Sequence, residues 1–210
     1  MNKQIFVALG LAAAALTPAH AALVTDSAGL ALPTSLATFE AFDGLLTTGP
    51  VEVAPGVTFT GDAGSELGAN NRDLGENGLW GANGFFVAGA GIGELRFSFA
   101  ELTAGAGAFV NHFAIAGFPL NMVVSVYGDN NQIIETYNFG VVTDPFGYNE
   151  GKFLGITRAS ADIRSISFKG LGVVVDDLQF TTAVPEPESY ALMLAGLGLL
   201  AAVARRRRQA

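Results

Sequence analysis

The apolar residues in the central part of this chain come in short alternating runs, and this pattern constrains the fold more than any other feature. Leu95, Phe97 and Phe99 alternate with polar or charged neighbours, which predicts a strand with one apolar face. Gly, Asn, Asp and Pro bound such runs, and no stretch repeats with the 3.6-residue period of a helix. Roughly eight or nine short strands predict an all-β domain over residues 22–184, an antiparallel, jelly-roll-like sandwich of two sheets.

Several individual strands can be placed from the residues that bound them. Residues 122–127 and 132–137 are joined by Gly-Asp-Asn-Asn, which tolerates the positive φ of a tight hairpin. A Pro-Gly turn precedes a strand at residues 57–60, and two further strands at residues 162–169 and 172–181 close the domain.

The central part of the chain is acidic and contains no cysteine. Residues 22–184 hold 17 Asp and Glu against 6 Lys and Arg, a net charge of −11. Because a phosphate-binding face needs clustered basic residues, nucleic acid is not an expected partner. The lack of cysteine excludes disulfides, thiol nucleophiles and Cys metal sites.

The first 21 residues have the three parts of a secretory signal peptide. Lys3 supplies the positive charge, residues 5–16 are apolar, and small residues surround His20 after a break at Pro18. We expect signal peptidase to cleave after Ala21. The alternative is an N-terminal membrane anchor, but the apolar run is shorter than the roughly 20 residues that span a bilayer.

The C-terminus also has three consecutive parts. Pro185, Glu186 and Pro187 come first, residues 189–204 carry no charge, and the basic residues Arg205, Arg206, Arg207 and Arg208 follow. A helix over residues 189–204 would be about 24 Å long, so it predicts a single transmembrane helix with the arginines in the cytoplasm. A buried core helix is the alternative, which the terminal position and the basic run disfavour.

This tripartite tail resembles the PEP-CTERM sorting signal of exported bacterial proteins. The motif at 185–187, the short apolar helix at 189–204 and the basic residues at 205–208 occur in the order of that family, within residues 185–210. The resemblance implies an exported protein that an exosortase-type membrane protease processes near the Pro-Glu-Pro motif. It also implies an intermediate anchored in the inner membrane, a final place in the cell envelope or outside the cell, and a link to exopolysaccharide or biofilm.

A Gly- and Asn-rich stretch at residues 61–84 predicts a long loop, and long ordered loops are often functional. It contains the only tryptophan, Trp80, which is a candidate platform for stacking a sugar. The alternative is that Trp80 closes one end of the sandwich as a buried core residue. Tyr127 is a second aromatic residue on which a neutral sugar could stack.

The last predicted strand places a carboxylate where it needs a partner. Strict alternation puts Asp176 on the face of Val174, Leu178 and Phe180, and an unpaired carboxylate there is costly.

Carboxylates near the start of the domain could supply that partner if the first and last strands pair. Several oxygen ligands without a soft donor suit a structural Ca²⁺. The candidate ligands are Asp176, Asp177, Glu40 and Asp43. The alternatives are a bulge that turns Asp176 outward, or an ion pair with an arginine such as Arg164.

Residues suited to catalysis are few. After signal cleavage His112 is the sole histidine, it has no serine nearby in sequence, and we expect it to be structural or on the surface. A glycoside hydrolase needs two carboxylates and is not excluded by composition. The sequence therefore predicts an exported, non-enzymatic surface or matrix protein, with a carbohydrate-binding module as the alternative and a glycoside hydrolase as the third hypothesis.

Overall fold

The computed structural model describes residues 21–32, 34–81, 84–117, 121–181, 194–198 and 205. Within them the chain forms strands β1 to β16, in order Ala22–Val24, Thr34–Ala37, Leu45–Leu46, Val51–Ala54, Val57–Gly61, Glu66–Ala69, Arg72–Asp73, Leu79–Trp80, Phe86–Ala88, Ile92–Thr103, Gly105–Asn111, Met122–Tyr127, Ile133–Phe139, Lys152–Thr157, Ile163–Leu171 and Val174–Thr181. A short 3-10 helix at Ser27–Gly29 follows β1.

The strands form an antiparallel sandwich, which confirms the predicted all-β class. Sheet A has the order β1-β14-β11-β16-β9-β6-β3, with β2 also paired to β16, and sheet B has the order β13-β12-β15-β10-β5-β4. From β9 to β16 the chain crosses repeatedly between the two sheets, as in double-sheet sandwiches. β7 and β8 pair with each other outside both sheets.

The main core lies between the sheets and is rich in aromatic rings. Leu95, Phe97 and Phe99 are each at most 3 % exposed, so the predicted apolar face of β10 is confirmed. The Phe97 ring lies 5.6 Å from the Phe59 ring and 6.4 Å from the Phe168 ring, measured between centroids. Each fully buried phenylalanine stabilises the fold by roughly 1.5–3 kcal/mol.

The outer face of sheet A also carries aromatic residues, and two peripheral segments cover them. Phe109 of β11 packs edge-to-face on Phe153 of β14, with ring centroids 5.4 Å apart. The segment around the 3-10 helix buries Leu30 against this pair, and the loop that contains Trp80 covers the neighbouring area. Sheet A therefore carries buried apolar side chains on both faces.

One predicted strand pairing is present and a second occurs in altered form. β12 and β13 form the expected hairpin, and Asn131 in its turn has a φ of 59°. The first strand, β1, pairs with β14 and not with the last strand, whereas the second strand, β2, pairs with β16, with Ala37 opposite Leu178. This pairing brings the segment after β2 close to the carboxylates of β16.

The two terminal segments lie largely outside the described residues. The predicted signal peptide falls on residues 1–21, of which only Ala21 is described, and the sorting motif at 185–187 is not described. Of the predicted transmembrane helix at 189–204, residues 194–198 are described and helical. In the described part of the chain, no helix has the length and apolar character needed to cross a membrane.

Candidate functional site

The Gly- and Asn-rich stretch at 61–84 is more ordered than the single long loop that the sequence predicts. It contains β6, which extends sheet A beside β9, and the small pair β7 and β8. These pairings provide partners for backbone groups that a long loop would leave unpaired. The part of the stretch nearest one end of the sandwich, residues 74–81, packs against a second loop at residues 141–151.

Backbone hydrogen bonds join these two loops, which together we call the loop clamp (residues 74–81 and 141–151). The Leu79 N–H donates to the Gly147 carbonyl at 2.9 Å, and the Asn149 N–H donates to the Leu79 carbonyl at 2.8 Å. Gly78 has a φ of 81°, and a Cβ there would lie 2.4 Å from the Gly147 oxygen. The close approach of the two loops therefore depends on glycine at this position.

Asn77 lies at the centre of the loop clamp and is 2 % exposed. Its Nδ2 donates hydrogen bonds to the carbonyl oxygens of His112 and Val141, at 3.0 and 2.9 Å. Its Oδ1 accepts a bond from the backbone N–H of Thr143 at 3.1 Å, and the Thr143 hydroxyl donates to the Asn77 carbonyl at 2.7 Å. One buried amide thus fixes the start of the 141–151 loop against both β11 and the 74–81 loop.

A second buried amide, Asn111, fixes the other end of that loop. Its Nδ2 donates to the carbonyl oxygens of Asn77 and Glu150, at 3.1 and 2.9 Å. Its Oδ1 accepts a bond from the His112 N–H at 2.8 Å. Asn111 is fully buried at the end of β11, so the clamp is anchored on a strand of the sandwich.

A tight turn, Asp144-Pro145-Phe146-Gly147, forms the tip of the 141–151 loop. The Gly147 N–H donates to the Asp144 carbonyl at 3.0 Å, and Asp144 Oδ1 accepts a bond from the Phe146 N–H at 2.8 Å. The Glu150 carboxylate accepts a bond from the Asp144 N–H at 3.0 Å. Asp, Pro and Gly occupy the first, second and fourth positions, the order that a β-turn favours.

The turn and the residue after it present two aromatic side chains to solvent. Phe146 is 89 % exposed and Tyr148 is 61 % exposed. Because the backbone of this loop is held from both ends, little backbone freedom is lost when a ligand binds to the exposed rings. This arrangement suits stacking on a planar or weakly polar ligand surface, such as the face of a sugar ring. We take Phe146 and Tyr148 as the candidate functional site.

Phe146 and Tyr148 are not among the site residues that the sequence predicts. The signal in the sequence is the turn motif Asp144-Pro145-Phe146-Gly147, which places an aromatic residue within a surface turn. The sequence predicts a functional loop at residues 61–84 instead. That stretch contributes the supporting half of the clamp.

The structure buries Trp80, the predicted glycan platform, so that only 4 % of the residue is exposed and its ring offers no free face to a sugar. Its ring packs edge-to-face on Phe86, with centroids 6.3 Å apart, and lies so close to Gly151 that a Cβ there would meet it at 2.4 Å. The alternative prediction of a buried Trp80 agrees with this position, but Trp80 packs on the outer face of sheet A with Phe86 and Val174 and does not close an end of the sandwich. Tyr127 is also a poor platform, since the Arg96 guanidinium lies 3.6 Å from its ring centroid.

A β-bulge interrupts the strict alternation predicted for the last strand. Gly107 pairs with Gln179 and Phe109 pairs with Asp176, so two steps along β11 face three steps along β16. Asp177 has a φ of 48°, which locates the extra residue.

The bulge separates Asp176 from the core face of β16. Leu178 is fully buried in the main core, with Phe180 packed against it, whereas Asp176 is only half-buried. The predicted shared face of Asp176, Leu178 and Phe180 is therefore wrong, and the alternative of a bulge is confirmed. Arg164, the other alternative, donates instead to Asp129 at 2.7 Å.

The carboxylates near the bulge are coupled electrostatically. Burial raises the pKa of Asp176 to about 7, with further contributions from the negative charges of Asp177 and Glu40, and the bond from the Asp177 N–H opposes the shift. Burial and Glu40 raise the pKa of Asp177 as well. Glu40 accepts a hydrogen bond from the Phe85 N–H at 2.8 Å.

The four predicted calcium ligands, Asp176, Asp177, Glu40 and Asp43, do not form a site in this structure. In residues that the structure describes, no group of three or more His, Cys, Asp or Glu side chains is arranged to hold a metal ion. The backbone bond from Phe85 directs Glu40 toward a neighbouring loop, and the bulge changes the direction of β16 at Asp177.

His112 is buried, at 4 % exposure, below the loop clamp. Its Nδ1 lies 3.0 Å from the Phe113 carbonyl oxygen, so the Nδ1–H donates to that carbonyl. Nε2 has no hydrogen-bond partner among the described residues. A catalytic base would use this atom toward a nucleophile, and the described part of the chain places none beside it.

Comparison with protein families identifies the C-terminal motif. The family model of the PEP-CTERM protein-sorting motif matches residues 183–208. This chain therefore carries a PEP-CTERM sorting signal, as predicted, and the motif implies an exported protein that is processed at the membrane. A search of curated proteins found no match.

Solved structures give weak likenesses to the sandwich. The K2 cleaved adhesin domain of Lys-gingipain matches with a TM-score of 0.39 and 14 % identity, covering 71 % of this chain and 100 % of that domain. A family 6 carbohydrate-binding module matches with a TM-score of 0.34 and 12 % identity, covering 71 % and 94 %. A family 11 module from a Clostridium thermocellum cellulase matches with a TM-score of 0.31 and 13 % identity, covering 73 % and 98 %. Scores of this size carry no argument about function.

Proposed function

We propose that this chain is a non-enzymatic module of the cell surface or extracellular matrix that binds neutral polysaccharide through Phe146 and Tyr148. Its sorting signal delivers it to the membrane, an exosortase-type protease removes the tail, and the sandwich then acts among exopolysaccharide in the envelope or biofilm. The observation that supports the binding role is the exposure of two aromatic rings on a loop whose backbone is held by buried amides.

Rigidity of the loop matters because weak ligands leave little free energy to order a binding surface. Ordering a flexible side chain on association costs about 0.5–1.5 kcal/mol. The bonds from Asn77 and Asn111 are already present in the free protein. The backbone that carries the two rings is therefore organised before the ligand arrives.

The charge of the domain selects for neutral polymers. A net charge of −11 over residues 22–184 repels anionic polysaccharides. The repulsion extends over about 10 Å at 0.1 M salt. A neutral glycan that stacks on apolar rings should bind with an affinity that hardly depends on salt.

The carboxylates near the bulge of β16 are the best candidates for the catalytic pair of a hydrolase, but they do not line a cavity that could hold a sugar. Three cavities of about 650, 490 and 390 Å³, formed by described residues, have neither Asp176, Asp177 nor Glu40 in their walls. A glycosidase needs its two carboxylates on either side of a bound sugar. We therefore propose a binding role without turnover.

Binding by the processed protein to a panel of neutral and acidic polysaccharides tests this function. We expect weak binding to a neutral polymer that falls at least tenfold in Phe146→Ala and in Tyr148→Ala. Ile133→Ala is the matched control, because Ile133 is 57 % exposed on β13, outside the clamp. Unchanged affinity in both aromatic variants would contradict the proposal, and the release of shorter sugars would show a hydrolase.

The sorting role has its own test in the mass of the protein recovered from the cell surface. We expect a chain that begins at Ala22 and lacks residues 205–208. Signal peptidase and the membrane protease would each account for one truncation. A surface protein that retains both termini would contradict the proposed processing.

A further inference from the structure

The position at which the chain leaves the sandwich is fixed by buried side chains. β16 ends at Thr181, which is 6 % exposed. The hydroxyl of Thr103 lies 2.6 Å from both the carbonyl and the hydroxyl of Thr181, and the Ala104 N–H donates to the Thr181 hydroxyl at 3.1 Å. The last residue of the strand is therefore held in the core.

The connection from this point to the sorting motif is short. Residues 182–184 separate Thr181 from Pro185. The four Cα steps from Thr181 to Pro185 span at most about 14 Å when fully extended. A domain of this size has a radius of gyration of about 15 Å. An enzyme that cuts near Pro185 must therefore approach the sandwich within less than the domain's own width.

The surface around the exit point is concave and largely apolar. A cavity of about 490 Å³ has Thr181 in its wall, and Leu36 beside it is 52 % exposed. We call this surface the exit face, and its main residues are Leu36, Pro55, Phe99, Leu102, Phe180 and Thr181. Glu101 is the one charged residue among the described residues of the wall.

We propose that the exit face docks on the membrane protease that processes the tail. The inference rests on the processing step of the proposed function and adds the surface that the protease contacts. A lipid surface fits less well, since bilayers with anionic headgroups attract Lys and Arg, and this wall offers Glu101 instead. A concave apolar surface that is held near the cleavage point fits a protruding apolar segment of a protein.

The test compares rates of tail removal in the native host, using the full-length chain. Leu36→Glu places a charge on the exit face, and we expect it to slow removal about fivefold or more. Leu46→Glu is the matched control, because Leu46 is 69 % exposed on β3 of the same sheet but lies outside the exit face. Leu36→Gln, which adds no charge, provides a second variant if Leu36→Glu does not fold.

A flexible insertion separates docking from misfolding. Twelve Gly and Ser residues placed after Thr182 add a mean reach of about 20 Å, which lets the enzyme reach the motif without meeting the exit face. We expect the insertion to restore processing of Leu36→Glu, because a misfolded domain would not be rescued by a longer tail. Normal processing of Leu36→Glu without the insertion, or no rescue with it, would overturn the proposal.

Two further outcomes identify the partner. If Leu36→Glu also reduces the carbonate-resistant, membrane-inserted fraction of the unprocessed chain, the exit face contacts lipid and the proposal is overturned. If the unaltered chain is not processed at all, the processing step of the proposed function is wrong. If the unaltered chain and Leu36→Glu are processed equally fast, only the docking proposal is wrong.

Discussion

The loop clamp and the bulge of β16 are two polar clusters that differ in charge and in how well their buried groups are hydrogen-bonded. In the clamp, the amides of Asn77 and Asn111 are at most 2 % exposed, and each has hydrogen-bond partners for both its donor and its acceptor atoms. At the bulge, Asp176 and Asp177 are only half-buried, yet burial raises the pKa of both.

The difference follows from charge. A neutral amide that is fully hydrogen-bonded can be buried without a net cost, whereas a carboxylate loses hydration that its neighbours must replace. Near the bulge, Glu40 is another negative charge and adds repulsion. The clamp therefore stabilises the loop it holds, and the bulge makes the stability of the fold depend on pH.

The largest effect is expected from removing the central amide of the clamp. Asn77→Ala leaves the carbonyls of His112 and Val141 and the N–H of Thr143 without their partner. Each unpaired buried group costs about 1–3 kcal/mol, so we expect a loss of roughly 3 kcal/mol or more in the free energy of unfolding. Chemical denaturation measures it, with the exposed Asn138→Ala as a control. Equal stability of the two variants would show that the amide does not hold the clamp.

A smaller change in stability, this time a gain, is expected when the charge of Asp176 at the bulge is removed. The folded chain keeps a proton on Asp176 up to a pH of about 7, whereas the unfolded chain loses it near 3.8. This residue's contribution to stability is therefore fully present below about pH 4 and is lost as the pH rises toward 7.

Asp176→Asn should reduce this dependence, leaving the part that Asp177 contributes, and make the protein more stable than the unaltered chain at pH 8. We expect a gain of roughly 1 kcal/mol, because the side chain is partly solvated and screening reduces the effect. Thermal midpoints at pH 5 and pH 8 measure it, with Glu101→Gln as the control. If the thermal midpoint of Asp176→Asn still falls between pH 5 and pH 8 as much as that of the unaltered chain, another group controls the pH dependence of stability.

The smallest effect on stability is expected at the tip of the clamp. Phe146 is 89 % exposed, so Phe146→Ala should change the free energy of unfolding by no more than about 0.5 kcal/mol. Urea denaturation of Phe146→Ala and Asn77→Ala under the same conditions compares their free energies of unfolding directly. A loss similar to that of Asn77→Ala would mean that Phe146 packs against the domain and is not available to a ligand.

The fold was largely predictable because alternation reports burial directly. Leu95, Phe97 and Phe99 on β10, and the hairpin of β12 and β13, lie where the pattern predicts. The second apolar face of sheet A was not predictable in the same way. Phe109 and Phe153 look like outward residues until the segments that cover them are in place.

The site was harder to predict because its parts come from distant positions in the chain. Asn77 and Val141 are 64 residues apart, and no local pattern shows that their side chain and carbonyl meet. As the only tryptophan, Trp80 is an obvious candidate for sugar stacking in the sequence, but its burial depends on contacts with Phe86 and Gly151 that no local pattern shows. The bulge at Asp177 also lacks a glycine or proline that would mark it in the sequence.

The central proposal is that the loop clamp holds the backbone that exposes Phe146 and Tyr148, and that these rings bind neutral polysaccharide. Titrating the isotopically labelled, processed protein with neutral oligosaccharides and recording amide chemical shifts tests it most directly. We expect shift changes concentrated at residues 143–149, which disappear in Phe146→Ala. Changes centred on Tyr127 and Arg96, or no changes with any neutral sugar, would contradict it.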